Sequence, residues 1–353
     1  MDLISKDEYK RFNLTRLPDG KEAVKIEISL NSGFAGQRVD LALKKVLKRY
    51  SRERIKKIIQ SGFFTLDGSV MAKPAHKIPE EGALVTFLRP LPEEPEDVFD
   101  IPVIFQNNDF LILNKPGNLT IHPTSGRFRR TLTWWMWKNG FDDYIITHRL
   151  DRETGGIVVC ARRGKVAAKI KEIFRRRKVE KTYLALLRGI LTRKIEHRGA
   201  VAPDENSPII IKQKVVTTGG KKAHSVFQPF YSGQNTTMAG ICLHTGRMHQ
   251  IRVHAQNLGF PVWGDKIYGV EPEIYLGFTK TGPLEKYNLV TGYHRHLLHC
   301  ALISFTCKKR KFEFFAPPPA DFKEFCNNKD IDYGGDQELK SKLTELTGHR
   351  FSD

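Results

Sequence analysis

One nine-residue stretch, residues 148–156, lies between two apolar runs and predicts a strand–turn–strand unit in the middle of the chain. It reads His-Arg-Leu-Asp-Arg-Glu-Thr-Gly-Gly, with residues 144–147 before it and 157–161 after it. The two glycines permit a positive φ or a close approach of the backbone to a ligand, which suits a rigid loop. An Arg-Asp pair between strands is more often a surface salt bridge than a catalytic site. A catalytic interpretation of Asp151 therefore depends on the motifs further along.

The charge balance favours a polyanionic partner. The chain has 353 residues, enough for one large domain or two to three smaller ones, and a formal net charge of +19. Aromatic side chains lie among the basic clusters, which favours RNA or DNA over a basic surface kept only for solubility. No run approaches the roughly 20 apolar residues of a membrane span. Residues 1–7 carry acids and no apolar core, so we expect no signal peptide and a cytoplasmic location.

Neither the cysteines nor the histidines have the spacing of a metal site. The five cysteines are scattered, without a Cys-x-x-Cys pair, and are expected to fill apolar space. His249 and His254 are five positions apart, so they do not share one helical face, and His294, His296 and His299 form no coherent ligand pattern. No phosphate-binding loop, dinucleotide fingerprint or nucleophile elbow is present. We expect no metal and no cofactor.

The first 88 residues predict a polar extension, residues 1–33, and a small helical and β unit, residues 34–88. A strand is expected over 23–30, one helix from Arg38 and another over 53–60 capped by Ser51, and strands at 63–66 and 83–87. The order of Arg-Val-Asp, Ser-Arg-x-x-Ile and Gly-x-x-x-x-Asp-Gly resembles a compact RNA-binding module first described in a ribosomal small-subunit protein. That resemblance implies phosphate contacts, the alternative being a solvated helix face. The cations concerned are Arg38, Arg52, Arg54, Lys56 and Lys57.

Residues 89–102 combine prolines with acids and predict a semi-rigid linker to a second domain, residues 103–319, followed by a C-terminal tail, residues 320–353. A hairpin is expected over 103–113. Beyond it, three arginines surround Phe128 in a loop suited to holding a nucleic-acid backbone. They are Arg127, Arg129 and Arg130. The tryptophans of 134–137 indicate helix packing first, with base stacking as the alternative.

The rest of the second domain alternates helix and strand patterns. A helix over 166–174 ends in the cations of 175–178, which suit either the helix dipole or a phosphate. Strands are expected at 181–187, 209–216, 224–231 and 238–244. The stretch 244–254 passes through a glycine turn into a helix that stops at Gly259. Residues 278–292 look like an extended loop, and 338–346 like a short helix.

Three motifs, in order, resemble the RluA-type pseudouridine synthases: His-Arg-Leu-Asp before Thr-Gly, Lys-x-Tyr-Leu-Ala, and Thr-Gly-Arg-x-His-Gln-Ile-Arg-Val-His. Asn-Lys-Pro-Gly near residue 115 and Gly-Asp-x-x-Tyr-Gly near 265 fit the same family, over residues 98 to 318. One departure is Gly155, where the family usually has Ser or Thr. The resemblance implies an α+β fold with a mixed, mostly antiparallel central sheet, flanking helices and a central cleft.

The resemblance also implies the site. Asp151 would attack the anomeric carbon or remove the neighbouring sugar proton, two alternatives that the sequence leaves open. An opposite charge within about 4–6 Å would keep it ionised, and Arg252 is the matching position. Tyr183 would pack on the flipped uracil and assist the final deprotonation, while Arg149 would enter the vacated base stack. The further substrate-binding candidates are His148, Lys181, Arg247, His249 and Gln250.

The function that follows is an RNA pseudouridine synthase acting on specific uridines, with large-subunit ribosomal RNA favoured because the leading module is common in enzymes with that substrate. No metal or organic cofactor is needed for this isomerisation. The alternatives are transfer RNA as substrate, or a non-catalytic RNA-binding or ribosome-assembly factor on the same fold. A monomer is expected.

Overall fold

The structure, a computed structural model, describes residues 13–17, 19–48, 50–91, 99–124 and 127–348. The chain divides into two compact units, one of residues 1–95 with 124–128 and one of residues 96–123 with 129–353. Residues 92–98 of the expected linker, and the first residues, on which the expectation of no signal peptide rests, lie outside the described residues. No helix among those described is long and apolar enough to cross a membrane.

In the first unit, two helices pack on a five-stranded sheet with the strand order β1-β2-β5-β3-β4. The strands are β1 Leu14–Arg16, β2 Glu22–Leu30, β3 Phe64–Leu66, β4 Ser69–Val70 and β5 Ala83–Pro90. The helices are α1 Val39–Val46 and α2 Arg52–Ile59. Ser51 caps α2 as predicted, because its side chain accepts a hydrogen bond from the backbone N–H of Arg54. Ile55 and Ile59 on the inner face of α2 are buried against the sheet.

The second unit is built on one large sheet, whose main order is β11-β14-β15-β10-β16-β9-β7-β6. Its strands are β6 Val103–Gln106, β7 Phe110–Lys115, β8 Tyr144–Ile146, β9 Gly155–Arg162, β10 Val179–Arg188, β11 Ile195–His197, β14 Ser225–Gly233, β15 Thr236–Leu243, β16 Leu298–Cys307 and β17 Arg310–Phe315. Of its pairings, β9 with β16 is parallel and the rest are antiparallel. The predicted fold class, a mixed and mostly antiparallel sheet with helices, is confirmed.

A separate two-stranded sheet pairs β12, Ala200–Pro203, with β13, Gln213–Val216. The strand predicted over 209–216 is therefore wrong in its first half, where residues 209–212 form a turn. Ile210 is 94% exposed there. The run of isoleucines has the composition of a buried strand but is not paired like one.

Helices flank the large sheet. They are α3 Leu132–Lys138, α4 Lys165–Arg175, α5 Gln250–Asn257, α6 Pro272–Thr281, α7 Glu285–Thr291, α8 Ala320–Asn327 and α9 Asp336–Gly348. The extended loop expected over 278–292 is wrong, since α6 and α7 occupy most of it. Helix α6 buries no residue, so its apolar periodicity gives little signal. Phe322 of α8 and Leu339 of α9 are buried against residues of β10 and β16.

Candidate active site

The loop that carries Asp151 lies between β8 and β9, as the sequence predicts, and its backbone is held by an unusually close strand contact. Gly156 pairs with Cys300 at the short parallel contact of β9 and β16. Its φ is +106°, and a Cβ placed on it would lie 2.3 Å from the carbonyl oxygen of Cys300. Only glycine fits both constraints. This contact fixes where β9 begins, and hence where the loop must end.

Lys115 anchors the same loop from β7. Its side chain is fully buried, and its Nζ donates to the carbonyl oxygens of Pro116 at 2.8 Å, Leu119 at 3.0 Å and Arg152 at 3.1 Å. Burial lowers the pKa of Lys115, but three acceptors match the three donors of an ammonium group. Arg152, the residue after Asp151, is thereby held to β7, the strand that pairs with β9.

A second buried network holds the loop from the opposite side. Glu153 accepts from Lys266 Nζ at 3.0 Å and from the backbone N–H of His296 at 3.0 Å. The hydroxyl of Thr154 is 2.8 Å from His296 Nε2. Burial and the nearby cations lower the pKa of His296 well below its ordinary value, so its ring is neutral. The loop therefore has little freedom to move its carboxylate.

Arg252 on α5 connects two carboxylates. Its Nη1 donates to Asp151 at 3.2 Å, while Nε and Nη2 donate to the two oxygens of Asp265 at 2.6 and 2.8 Å. The Arg252 side chain is 5% exposed and that of Asp265 is buried completely. Burial alone would raise the pKa of Asp265, but the charge and hydrogen bonds of Arg252 and the N–H groups of Ile267 and Tyr268 hold it below its ordinary value. Asp265 thus fixes the guanidinium, whose third nitrogen, Nη1, donates to Asp151.

A pocket of about 130 Å³ opens beside Asp151. Its lining joins apolar walls to cations, and includes Asp151, Tyr183, Leu243, Ile251, Arg252 and Leu298. Tyr183 on β10 is 6% exposed, and burial raises its pKa well above the ordinary value, so the phenol is protonated at neutral pH. The lining thus combines an aromatic ring, apolar side chains and a carboxylate.

Of the remaining predicted site residues, Arg149 and Lys181 also line the pocket, whereas His148 does not. The Nε2 of His148 accepts a hydrogen bond of 3.0 Å from Val159 N–H, and its ring stacks on Phe174 with centroids 4.6 Å apart. Burial, assisted by the charge of Lys181, lowers the pKa of His148 to about 3. The neutral ring of His148 therefore holds the start of the loop to β9.

The turn before α5 and the first residue of α5 carry the other three candidates, which also line the pocket. The Oε1 of Gln250 accepts from Thr245 Oγ1 at 2.8 Å and from the N–H of Arg247 at 3.0 Å, so its carboxamide closes the turn. His249 has a left-handed φ of 55°, and its Nε2 lies 4.0 Å from Asp151. Burial and the charge of Arg252 lower the pKa of His249 to about 4, which leaves the ring neutral.

In the first unit, the cations predicted to contact phosphate differ in how they are held. Arg38 and Arg52 both donate to Asp40, whose side chain is fully buried. Lys56 pairs with Glu53 at 3.0 Å. The guanidinium of Arg54 lies over the ring of Tyr50 at 5.0 Å, and Lys57 is exposed. The buried carboxylate presents the two arginines in fixed positions at the surface.

The predicted basic loop lies at Arg127, Arg129 and Arg130, all half-buried. Residues 127 and 128 are grouped with the first unit, and 129 onward with the second. The guanidinium of Arg129 lies 5.8 Å from the ring centre of Trp134. Trp134 is 5% exposed, and Thr131 caps the helix that carries it, so helix packing is confirmed for this tryptophan.

Sequence reasoning missed the supporting residues Asp265, Lys115, Glu153 and Lys266. The Gly-Asp-x-x-Tyr-Gly segment contained a signal, since a carboxylate beside a glycine turn needs a cation once it is buried. The glycine is Gly264, where a Cβ would meet the carbonyl of Arg295. Among the described residues, no group of three or more His, Cys, Asp or Glu side chains is arranged to hold a metal ion.

Comparison with known proteins assigns the family. The model of the family described as RNA pseudouridylate synthase matches residues 109–257. A protein of Aquifex aeolicus named uncharacterized RNA pseudouridine synthase is 30% identical over 281 residues, which cover 74% of this chain and 86% of that protein. The chain belongs to the RNA pseudouridine synthase family. The family predicted from the three motifs is confirmed, and with it an isomerase that makes pseudouridine in RNA.

Other members of the family are named for a specific substrate. Ribosomal large subunit pseudouridine synthase D of Vibrio vulnificus is 26% identical over 318 residues, covering 86% of this chain and 94% of that protein. The protein of the same name from Haemophilus influenzae is 26% identical, covering 84% and 93%. Among solved structures, human RNA pseudouridylate synthase domain containing 1 aligns with a TM-score of 0.51 at 24% identity, covering 64% of this chain and 87% of that one. The last similarity concerns the fold.

Proposed function

We propose that this pseudouridine synthase isomerises specific uridines of large-subunit ribosomal RNA, with Asp151 as its catalytic carboxylate. One observation carries the proposal: Asp151 faces a pocket with an aromatic wall and is held by Arg252, which Asp265 fixes from behind. The names of the relatives from Vibrio vulnificus and Haemophilus influenzae favour the ribosomal substrate. The charge of +19 is consistent with a large RNA.

The reaction breaks the bond between the ribose anomeric carbon and the uracil nitrogen and forms a bond from that carbon to a ring carbon. The proton on that ring carbon is lost and the nitrogen gains one, so no reagent is consumed. A carboxylate can bond to the anomeric carbon or take the neighbouring sugar proton, and in both cases it stabilises the positive charge that develops on the sugar. That Asp151 lines the pocket supports a role for it in either step.

The target base must leave the RNA stack to reach this pocket, at a cost of about a few kcal/mol. Tyr183 offers a ring for the uracil to pack on. Its raised pKa disfavours the phenolate, so we assign it packing and hydrogen-bond donation ahead of proton removal. Arg149, exposed at the rim, is suited to fill the vacated stack.

The test is a map of pseudouridines in ribosomal and transfer RNA, read by carbodiimide-blocked reverse transcription. Wild-type protein, Asp151→Ala and Asp143→Ala are compared. Asp143 is the matched control because it also pairs with an arginine, Arg162 at 3.2 Å, but at the exposed surface. We expect reverse-transcription stops, which mark pseudouridines, in large-subunit RNA treated with wild type or with Asp143→Ala. We expect none in RNA treated with Asp151→Ala.

Each other outcome contradicts part of the proposal. Stops confined to transfer RNA would show that transfer RNA is the substrate and would leave the proposed reaction unchanged. Stops that persist with Asp151→Ala would remove Asp151 from the reaction. RNA binding without stops in either RNA would favour the non-catalytic factor.

We further propose that residues 34–88 form an RNA-binding module that contacts phosphates without reading sequence. The support is the resemblance in its motifs and the arginines presented by buried Asp40. Replacing Arg54 and Lys57 by glutamine should flatten the plot of log affinity against log salt by about 1–2 units. An unchanged slope of log affinity against log salt would mean that Arg54 and Lys57 form a solvated helix face and do not contact phosphate.

A further inference from the structure

A second cleft, of about 230 Å³, opens beside the pocket of Asp151. It lies between the end of α4, the start of β10 and the turn before α5. Its polar lining comes from Arg175, Arg177, Lys181, Thr245 and Arg247. Lys181, Arg247 and Gly246 line both the cleft and the pocket. The two cavities therefore adjoin each other.

The cleft is cationic, and Glu172, which pairs with Arg175 of its lining, does not itself line it. Its described lining contains four Lys or Arg side chains and neither Asp nor Glu. Burial, and the charge of Arg177, lower the pKa of Arg247, as expected of guanidinium groups held near one another. By contrast, another cleft lined by Asp151 also includes the carboxylate of Glu153. An anion would be attracted to cations gathered in this way.

Arg177 occupies a position that favours glycine. After α4 the N–H of Lys178 donates to the carbonyl of Ile173 at 3.0 Å, and the N–H of Arg177 to that of Phe174 at 3.0 Å. These two bonds form a Schellman motif, in which the residue at the site of Arg177 takes a left-handed conformation, here with φ 58°. An arginine costs about 1 kcal/mol or more in that conformation relative to glycine. Its side chain lines the cleft in spite of that cost.

The neighbouring arginines of the same run are held differently. Glu172 accepts from Arg175 Nη2 at 2.6 Å and from Arg176 Nε at 2.5 Å. The sequence leaves this run with two interpretations, a helix-dipole partner or a phosphate ligand. Glu172 engages Arg175 and Arg176, and the cleft favours the phosphate interpretation for Arg177.

We propose that this cleft binds a phosphodiester of the RNA strand next to the flipped uridine, with Arg177 and Arg247 as its ligands. The inference rests on the proposed function, because it requires a nucleotide in the adjoining pocket. A nucleotide whose base enters that pocket has a phosphate on each side of its sugar, and the adjoining cleft offers one of them a place among cations. Arg177 is a binding residue that neither the motifs nor the family match identifies.

The test uses Arg177→Gly, a change that suits the backbone and removes the cation. The full chain is titrated with a fluorescently labelled oligouridylate of ten nucleotides at several salt concentrations. The matched control is Lys309→Gly, since Lys309 also has a left-handed φ, of 62°, and is exposed in the turn between β16 and β17. Both variants lose one positive charge and relieve one strained residue.

We expect Arg177→Gly to weaken binding about fivefold at 0.1 M salt and to reduce the salt slope by about 0.7, the value for one phosphate of a single strand. Its midpoint of thermal unfolding should equal or exceed that of wild type. Lys309→Gly should bind within about twofold of wild type. Equal binding by the two variants would overturn the proposal.

Pseudouridine formation in ribosomal RNA, measured in parallel, separates this proposal from the proposed function. If wild type forms pseudouridine and Arg177→Gly binds oligouridylate as tightly as wild type does, the proposed phosphate site is wrong and the proposed function stands. If Arg177→Gly binds more weakly but wild type forms no pseudouridine, the phosphate site stands and the proposed function is wrong.

Discussion

The carboxylate of Asp265 holds Arg252 by two hydrogen bonds of 2.6 and 2.8 Å, and Arg252 then reaches Asp151 at 3.2 Å. Asp265 does not line the pocket of Asp151, so it is a positioning residue. Asp265→Asn removes the charge that fixes the guanidinium. We expect kcat to fall by about 10- to 100-fold with KM within about threefold, because misplaced groups chiefly reduce the chemical step.

The matched control for this prediction is Asp321→Asn. Asp321 accepts from Arg295 at the same two distances, 2.6 and 2.8 Å, and Arg295 makes no hydrogen bond to Asp151 among those described. Single-turnover rates and urea unfolding are measured for both variants. Equal losses of kcat in the two variants would mean that Asp265 acts only through stability.

The close contact at Gly156 predicts that one added methyl group strongly lowers the free energy of unfolding. Gly156→Ala combines a positive φ with a Cβ at 2.3 Å from a backbone oxygen, so we expect a loss of at least about 3 kcal/mol in the free energy of unfolding. Gly164→Ala is the control, since its φ is +89° and nothing lies within 4 Å of its Cβ. It should cost about 1 kcal/mol in urea unfolding. Similar costs at the two sites would contradict the contact.

The departure at Gly155 has a counterpart in the structure. A Cβ there would lie 3.0 Å from His299 Nδ1, a buried nitrogen that no described residue hydrogen-bonds. Burial lowers the pKa of His299 to about 4, and Nε2 lies 3.2 Å from the carbonyl of Ala316, so Nδ1 is an acceptor at neutral pH. Gly155→Ser adds a hydroxyl to satisfy it, whereas Gly155→Ala adds only the methyl group.

We expect the serine variant to be more stable than the alanine variant by about 1 kcal/mol in urea unfolding, the usual contribution of one hydrogen bond. Equal stability of the two would show that the hydroxyl does not reach Nδ1.

Four histidines with lowered pKa values predict sensitivity to acid. The pKa of His148 is lowered to about 3, and those of His249, His254 and His299 to about 4. Between those values and about 6.5, the unfolded chain binds more protons than the folded one, so stability rises with pH there and is lost as pH falls from about 6.5 toward 4. Urea unfolding at pH 7 and pH 5 should differ by a few kcal/mol.

His148→Gln isolates one member of this set. Its carboxamide oxygen can still accept from Val159 N–H, but it does not titrate. The variant should show a smaller loss of stability between pH 7 and pH 5 than wild type. An identical loss would mean that His148 remains neutral in the unfolded protein or charged in the folded one.

The sequence predicts the parts of the site that lie close together along the chain. The loop of Asp151 between two strands follows from apolar runs, and the turn before α5 follows from its glycine. The ion pair between Arg252 and Asp265 joins residues of separate segments, and its geometry depends on how α5 packs, which no local pattern encodes. The same applies to Lys115, whose partners lie on two loops.

The α6–α7 segment contains two local signals of helix boundaries, although its composition favours an extended loop. Pro272 occupies the first turn of α6, Gly282 ends that helix, and Gly292 ends α7 with a φ of 77°. Proline at a helix start and glycine after its end are typical helix boundaries. Because α6 buries no side chain, the apolar period that usually identifies a helix is missing.

The place of β16 in the sheet makes the pocket depend on a strand outside all three motifs. Strand β16, Leu298–Cys307, lies between β10, which carries Tyr183, and β9, which follows Asp151. Asp151 and Tyr183 therefore belong to two halves of the sheet that β16 joins. The motif residues supply the chemical groups of the site, whereas β16 sets the separation between them.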